Sequence, residues 1–247
     1  MNFSMTKKNI VIKEDIGSTE DLTGGTSAIP PTSAIPPMPP AKSPVGQIGR
    51  TIRDLIKTED IKDFNKCLEI ADTLNRTIII EEIDEESGVV AESLIRFWNR
   101  YDDEAGTPVE ERTPIKIYID SPGGYLSCTF TIIDAIRLSK TPVWTINIGC
   151  AYSGGFFIFI SGHKRIAYEN SSFLYHEGSI KLGGDAHKFE NSADFYKKQR
   201  ERLKQLTLKY TGVTEELYNE HIKDDWYLFA DEALKLKITD EIATEFI

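Results

Sequence analysis

Residues Ile115–Gly124 read IKIYIDSPGG, and the organisation of the whole chain follows from this stretch. Ile115–Asp120 has the composition of a strand, closed by Ser121-Pro122-Gly123-Gly124. Glycines there adopt backbone angles closed to other residues and leave main-chain N–H groups uncovered. Downstream, Tyr125–Leu138 reads as a helix and Pro142–Ile148 as a strand. A further strand, Ser172–Tyr175, ends at His176. Ala186–Tyr210 is a long amphipathic helix that stops at a C-cap, Thr211-Gly212. Upstream lie a short β-branched run, Thr77–Ile80, and Ser87–Tyr101, with Val90, Leu94, Phe97 and Trp98 at helical spacing. Strands alternating with helices imply βαβ crossovers and a mainly parallel sheet, hence an α/β fold. Phe156–Ile160 (FFIFI) is read two ways, as a strand on propensity or as a buried helix following Gly154-Gly155.

The chain has 247 residues, enough for one sizeable α/β domain plus an appendage. Residues 1–47 form that appendage. Seven of the eleven prolines fall between Pro30 and Pro44, and TSAIPP occurs twice in succession from Thr26 to Pro37. The expectation is a disordered, partly polyproline-like tail, followed by a folded domain over 48–247. Thr51–Leu74 is mildly helical, with Ile52, Leu55, Ile56, Phe64 and Leu68 as candidate buried positions.

Charge and cysteine usage narrow the function classes. Against 29 Lys and Arg stand 39 Asp and Glu, a net charge of −10 that is unsuited to a nucleic-acid backbone. No window approaches the roughly 18 apolar residues of a membrane span, and the N-terminus lacks a secretory pattern, so a cytoplasmic protein is expected. Cys67, Cys128 and Cys150 have no metal-ligand spacing, and Cys128 and Cys150 read as small core residues. Neither a metal nor a cofactor is expected.

In parallel α/β sheets, sites lie on loops at the carboxyl ends of strands. Besides Asp120–Gly124, a second such turn is Gly149-Cys150-Ala151-Tyr152-Ser153-Gly154-Gly155, where a serine precedes an apolar element. If that element is a helix, free N–H groups at its start can receive an oxyanion. Taken alone, Ser153 is ordinarily an N-cap and His176 a satisfied half-buried histidine. The serine loop is also not the G-x-S-x-G elbow of α/β-hydrolases. His163, in a turn, and His187 and His221, on polar helical segments, are poorer candidates for a base.

Taken together, the motifs are more specific. SPGG, a helix, a strand, GxxxSxG and a strand ending in histidine, in that order, resemble the Clp protease proteolytic subunit family. The similarity runs from about Leu74 to the C-terminus and includes IYIDSPGG, Ile133–Ile136, Gly149–Gly155, Asn170–Ser172, Ala230–Ala233 and Ile238–Asp240. The resemblance implies a crotonase-like spiral of βαβ units with Ala186–Tyr210 as a handle helix. It further implies assembly into stacked heptameric rings and a serine endopeptidase acting on unfolded polypeptides inside a chamber. The family's nucleophile falls on Ser153, its histidine on His176 and its acid on Asp225, with Asp224 the adjacent rival. Its oxyanion donors fall on the backbone N–H groups of Gly124 and Gly154. An ATP-driven Clp-type unfoldase is the partner implied by analogy.

Two departures stand out. Glu177-Gly178 replaces the family's usual Gln-Pro after the histidine, and the chain before about Leu74 does not match the family's axial loops. Leu182–Ala186 still resembles the glycine-bearing strand that in the family binds substrate as an added strand. The competing classes are a non-catalytic ring subunit and an acyl-CoA hydratase or isomerase on the same fold. Retention of Ser153, His176 and Asp225 speaks against the first, and the serine–histidine pair against the second.

Overall fold

The structure, a computed structural model, describes residues 71–176, 178 and 185–247. The proline-rich tail, most of Thr51–Leu74, Cys67, Glu177 and the glycine-bearing segment at 181–184 lie outside the described residues.

A seven-stranded sheet runs β1 (Thr77–Ile80), β2 (Ile115–Ser121), β3 (Val143–Tyr152), β4 (Lys164–Ala167), β7 (Glu241–Ile242), all parallel. Off this path, β5 (Ser172–Tyr175) pairs in parallel with β3, and β6 (Trp226–Phe229) pairs antiparallel with β5. The crossover helices are α1 (Glu85–Glu104) and α2 (Leu126–Leu138). They are joined by α3 (Gly154–Ile160), α4 (Ala186–Tyr210), α5 (Glu215–His221) and α6 (Ala230–Lys235). Parallel pairing requires such crossovers, so the α/β architecture expected from the alternation is present.

Burial explains each element. In β2, Ile115, Ile117 and Ile119 have no exposed surface, while Lys116 and Tyr118 between them are half-buried. Asp84 caps α1 by accepting from the Ser87 N–H, and the Ser87 hydroxyl accepts from the Asp84 N–H in return. The buried stripe of α1 is Ala91, Ile95 and Trp98, not the Val90 and Phe97 that share its spacing, which stay exposed. FFIFI is helical. Every residue of α3 is buried, so no polar face exists to give it a period, and the sequence alone carried no sign of its form.

Strand β3 changes partners along its length. Trp144–Asn147 pairs with β4, while Cys150–Tyr152 pairs with β5. Between these segments the register with β2 shifts, so that Ile119 faces Asn147 but Ser121 faces Ala151. Asn147 spans the junction: its amide donates to the Ser172 carbonyl at 2.9 Å and its oxygen accepts from the Gly149 N–H at 3.2 Å. The sequence reading ended this strand at Ile148. It continues to Tyr152 because the shift carries Ala151 back into the core.

A charged cluster ties the first crossover to the sheet. Asp102, 3% exposed, accepts two bonds from Arg76 at 2.6 and 2.7 Å and one from the Thr141 hydroxyl at 2.7 Å. Arg112 donates to Asp103 at 2.6 Å. Burial pushes the Asp102 carboxyl up, but the bonds from Arg76 and Thr141 together hold it below its ordinary value.

Candidate active site

Ser153 stands between the end of β3 and the start of α3 at φ 51° and ψ −116°, a conformation most side chains avoid. The fold holds it there from both sides. Its N–H donates to the Leu174 carbonyl at 2.9 Å, and its carbonyl accepts from the Phe156 N–H at 3.1 Å. The side chain is not the N-cap that a serine before a helix ordinarily is, since it makes no capping hydrogen bond. A strained, uncapped and partly exposed serine is the form expected of a nucleophile.

The Ser121–Gly124 turn wraps closely against this serine. Gly123 has φ +106°, and a Cβ there would lie 2.7 Å from the Ser153 Cβ. At Gly124 a Cβ would lie 2.0 Å from the Ile83 carbonyl oxygen, so the backbone passes where only glycine fits. Around it the bonds run from Ile83 N–H to the Gly123 carbonyl and from Tyr125 N–H to the Ile83 carbonyl. Among the described residues, neither the Gly124 nor the Gly154 N–H has a backbone acceptor. A Cβ built on Gly154 would be 3.6 Å from the Gly124 nitrogen, and one built on Gly123 would be 3.1 Å from the Gly154 nitrogen, so the two turns meet beside Ser153.

His176 follows the last residue of β5. The antiparallel ladder sets Leu174 opposite Tyr227 and Tyr175 opposite Trp226. One step further, the same register brings His176 opposite Asp225, and His176 Nδ1 lies 3.6 Å from Asp225 Oδ1. Asp225 immediately precedes β6 and faces the imidazole, whereas its neighbour Asp224 follows the end of α5, where its N–H donates to the His221 carbonyl at 3.2 Å. His176 Nε2 is buried and has no hydrogen-bond partner among the described residues.

The remaining histidines have other surroundings. His163 Nδ1 accepts from the Val143 N–H at 2.9 Å, and burial together with the nearby Arg137 lowers its pKa, so it serves the fold as a neutral ring. His187 is 94% exposed, and His221 stacks on Trp226 with ring centroids 4.3 Å apart.

Cys128 is buried, as expected, but Cys150 is only half-buried. Its environment shows a residue the sequence reading passed over. Asp120 accepts from the Cys150 N–H at 2.9 Å and so fixes the register shift that leads to Ser153. Burial first, and then the Asp120 carboxylate, push the Cys150 thiol up to about 11, so it offers no competing thiolate. The signal was present in IYID, a carboxylate ending a strand just before a glycine turn. Among the described residues no group of three or more potential metal ligands is gathered, and no helix is long and apolar enough to cross a membrane.

The structure is thus a mainly parallel α/β fold with a strained serine between glycine turns at the end of β3 and a histidine facing an aspartate at the end of the adjoining β5. The Clp protease family model matches residues 105–246, more than half of the chain, and the chain belongs to that family. It is 35% identical over 124 residues to the ATP-dependent Clp protease proteolytic subunit 2 of Treponema pallidum, covering 49% of this chain and 62% of that protein. The corresponding subunit 2 of Treponema denticola is 34% identical over 132 residues, 53% of this chain and 66% of its own length. The proteolytic subunit of Deinococcus radiodurans is 32% identical over 130 residues, 52% of this chain and 64% of its own length. The chain thus spans less than two thirds of these curated relatives.

Proposed function

We propose that the chain is a Clp-type serine endopeptidase in which Ser153, His176 and Asp225 act as one unit. The observation that carries this reading is the β5–β6 register, which faces His176 with Asp225 at the end of a strand whose Leu174 carbonyl is bonded to the N–H of the strained Ser153. His176 Nε2 takes the Ser153 hydroxyl proton as Oγ attacks the scissile carbonyl, and then returns that proton to the leaving amine. Asp225 holds the imidazole tautomer and stabilises the imidazolium. The Gly124 and Gly154 N–H groups receive the carbonyl oxygen as it becomes an anion. Water repeats the sequence on the acyl-enzyme to release the second product.

The 3.6 Å separation of His176 and Asp225 exceeds a hydrogen bond, and Nε2 lacks a partner. Both features fit a subunit that closes its triad on assembly, in stacked rings with α4 at the ring contact. The substrate under this reading is unfolded polypeptide, delivered in the cytoplasm by an ATP-driven unfoldase. The peptidase domain begins near residue 48, behind a proline-rich tail. Labelling of the ring-assembled protein by a fluorophosphonate probe tests the chemistry. Labelling that is lost in Ser153→Ala is expected. An assembled ring that takes no label would leave the non-catalytic or acyl-CoA readings instead.

A further inference from the structure

Tyr175, the residue before His176, is 4% exposed, and its ring meets the elements that carry the rest of the triad. It lies edge-on to Phe156 and Phe157 of α3, the helix that begins one residue after Ser153, with centroids 5.7 Å away in each case. It also lies 5.3 Å from the ring of Tyr218 on α5, and the Tyr175 hydroxyl donates to that of Tyr218. Tyr218 is 3% exposed, and α5 leads through residues 222–224 to Asp225. Lys204 of α4 lies over the Tyr218 ring at 5.4 Å and pairs with Glu215 at the start of α5.

Two phenylalanines would fill this space without burying two hydroxyls, so the hydroxyls specify geometry beyond packing. Burial, and then the bond to Tyr218, raise the Tyr175 pKa, and burial raises that of Tyr218. The contact is therefore phenol to phenol throughout the working range. The His176–Asp225 gap lies just outside hydrogen-bond range, so sub-ångström shifts between β5 and the α5–β6 connection decide whether that bond forms.

We propose that Tyr175 and Tyr218 are positioning residues for the reaction, their hydroxyl bond fixing the end of β5 that carries His176 against the α5–β6 connection that carries Asp225. This inference rests on the peptidase reading above. Its test compares the full-length, ring-assembled wild type with Tyr218→Phe and with the double variant Tyr175→Phe/Tyr218→Phe. Three quantities are read: the unfolding midpoint, the rate of fluorophosphonate labelling at Ser153, and kcat and KM on a fluorogenic peptide. Tyr218→Phe strands the Tyr175 donor and loses both stability and rate. Removing both hydroxyls relieves that burial cost, so the double variant unfolds within about 2 °C of wild type. Its labelling rate and kcat nevertheless stay about tenfold low with KM unchanged. A double variant that regains its rate along with its stability would overturn the proposal, leaving the pair a matter of hydroxyl satisfaction alone. A wild-type ring that takes no label fails in a different arm: it refutes the peptidase reading, and the role of the pair with it.

Discussion

Gly123→Ala separates the geometry of the serine turn from general loop strain. The new Cβ would sit 2.7 Å from the Ser153 Cβ, about 0.7 Å inside the 3.4 Å at which ordinary contact begins. It would also meet the Tyr152 carbonyl oxygen at 3.0 Å and the Gly154 nitrogen at 3.1 Å, so relief requires the turn and the serine to part. The backbone adds its own cost, since a φ of +106° is strained for alanine by roughly 1–2 kcal/mol. Gly106→Ala is the matched control, with φ +67° and nothing within 4 Å. Gly106→Ala should lose about 1–2 kcal/mol in urea unfolding, and Gly123→Ala that much plus the cost of relieving its contacts. Only Gly123→Ala should also slow labelling of Ser153. A misplacement approaching 1 Å costs on the order of a hundredfold, so a loss between about 10- and 100-fold is expected. The assay is the pseudo-first-order labelling constant of the purified protein, with Gly106→Ala at the wild-type rate. If Gly123→Ala labels within about twofold of that control, the contact between the two turns does not set the nucleophile's position.

Asp102→Ala strands the Arg76 guanidinium, whose side chain is 13% exposed, and should cost about 3–5 kcal/mol by calorimetry. Because the folded pKa of Asp102 is depressed, its contribution is present above the ordinary carboxylate value of 3.8 and is lost as pH falls through the folded value. Asp102→Asn should accordingly flatten the acid limb of the midpoint-versus-pH curve, and an unchanged limb would refute that linkage. Asp225→Asn should reduce peptide turnover severely through the wrong histidine tautomer while Asp224→Asn stays mild, and the reverse order would move the third role to Asp224. In Asp120→Asn the loss of a neighbouring negative charge lowers the Cys150 pKa, so the thiol should react faster with a maleimide at alkaline pH. An equal rate would show that burial alone sets it.

The site was legible where chemistry imposes residue types in order. The two glycine turns, Ser153, His176 and the long helix Ala186–Tyr210 were placed from the sequence, and the helix has those bounds. Its end is less simple than a glycine cap. Thr211 is extended, and Gly212 instead donates its N–H to the Leu236 carbonyl at 2.6 Å, a tertiary contact no local pattern announces. Short strands were missed for a related reason. Lys164–Ala167, Trp226–Phe229 and Glu241–Ile242 have two to four residues each and are strands only because partners lie alongside. The preference for Asp225 over Asp224 likewise became physical only through β6, since two adjacent carboxylates differ in sequence by nothing but position.

The change of partners along β3 bears on how the molecule breathes. Ile117 and Ile146 belong to a ladder that crosses the whole sheet, whereas β5 is fastened to it by three register pairs, the Asn147 bridge, the bond from the Ser153 N–H to the Leu174 carbonyl and the packing of Tyr175 on α3. The strands leading to His176 and from Asp225 are therefore expected to open as a unit of their own, at less than the free energy of global unfolding. Amide hydrogens of Phe173 and Leu228 should exchange sooner than those of Ile117 and Ile146. On the proposed peptidase reading, opening of this unit would part His176 and Asp225 from Ser153 and leave a state that stays folded while its chemistry is disconnected.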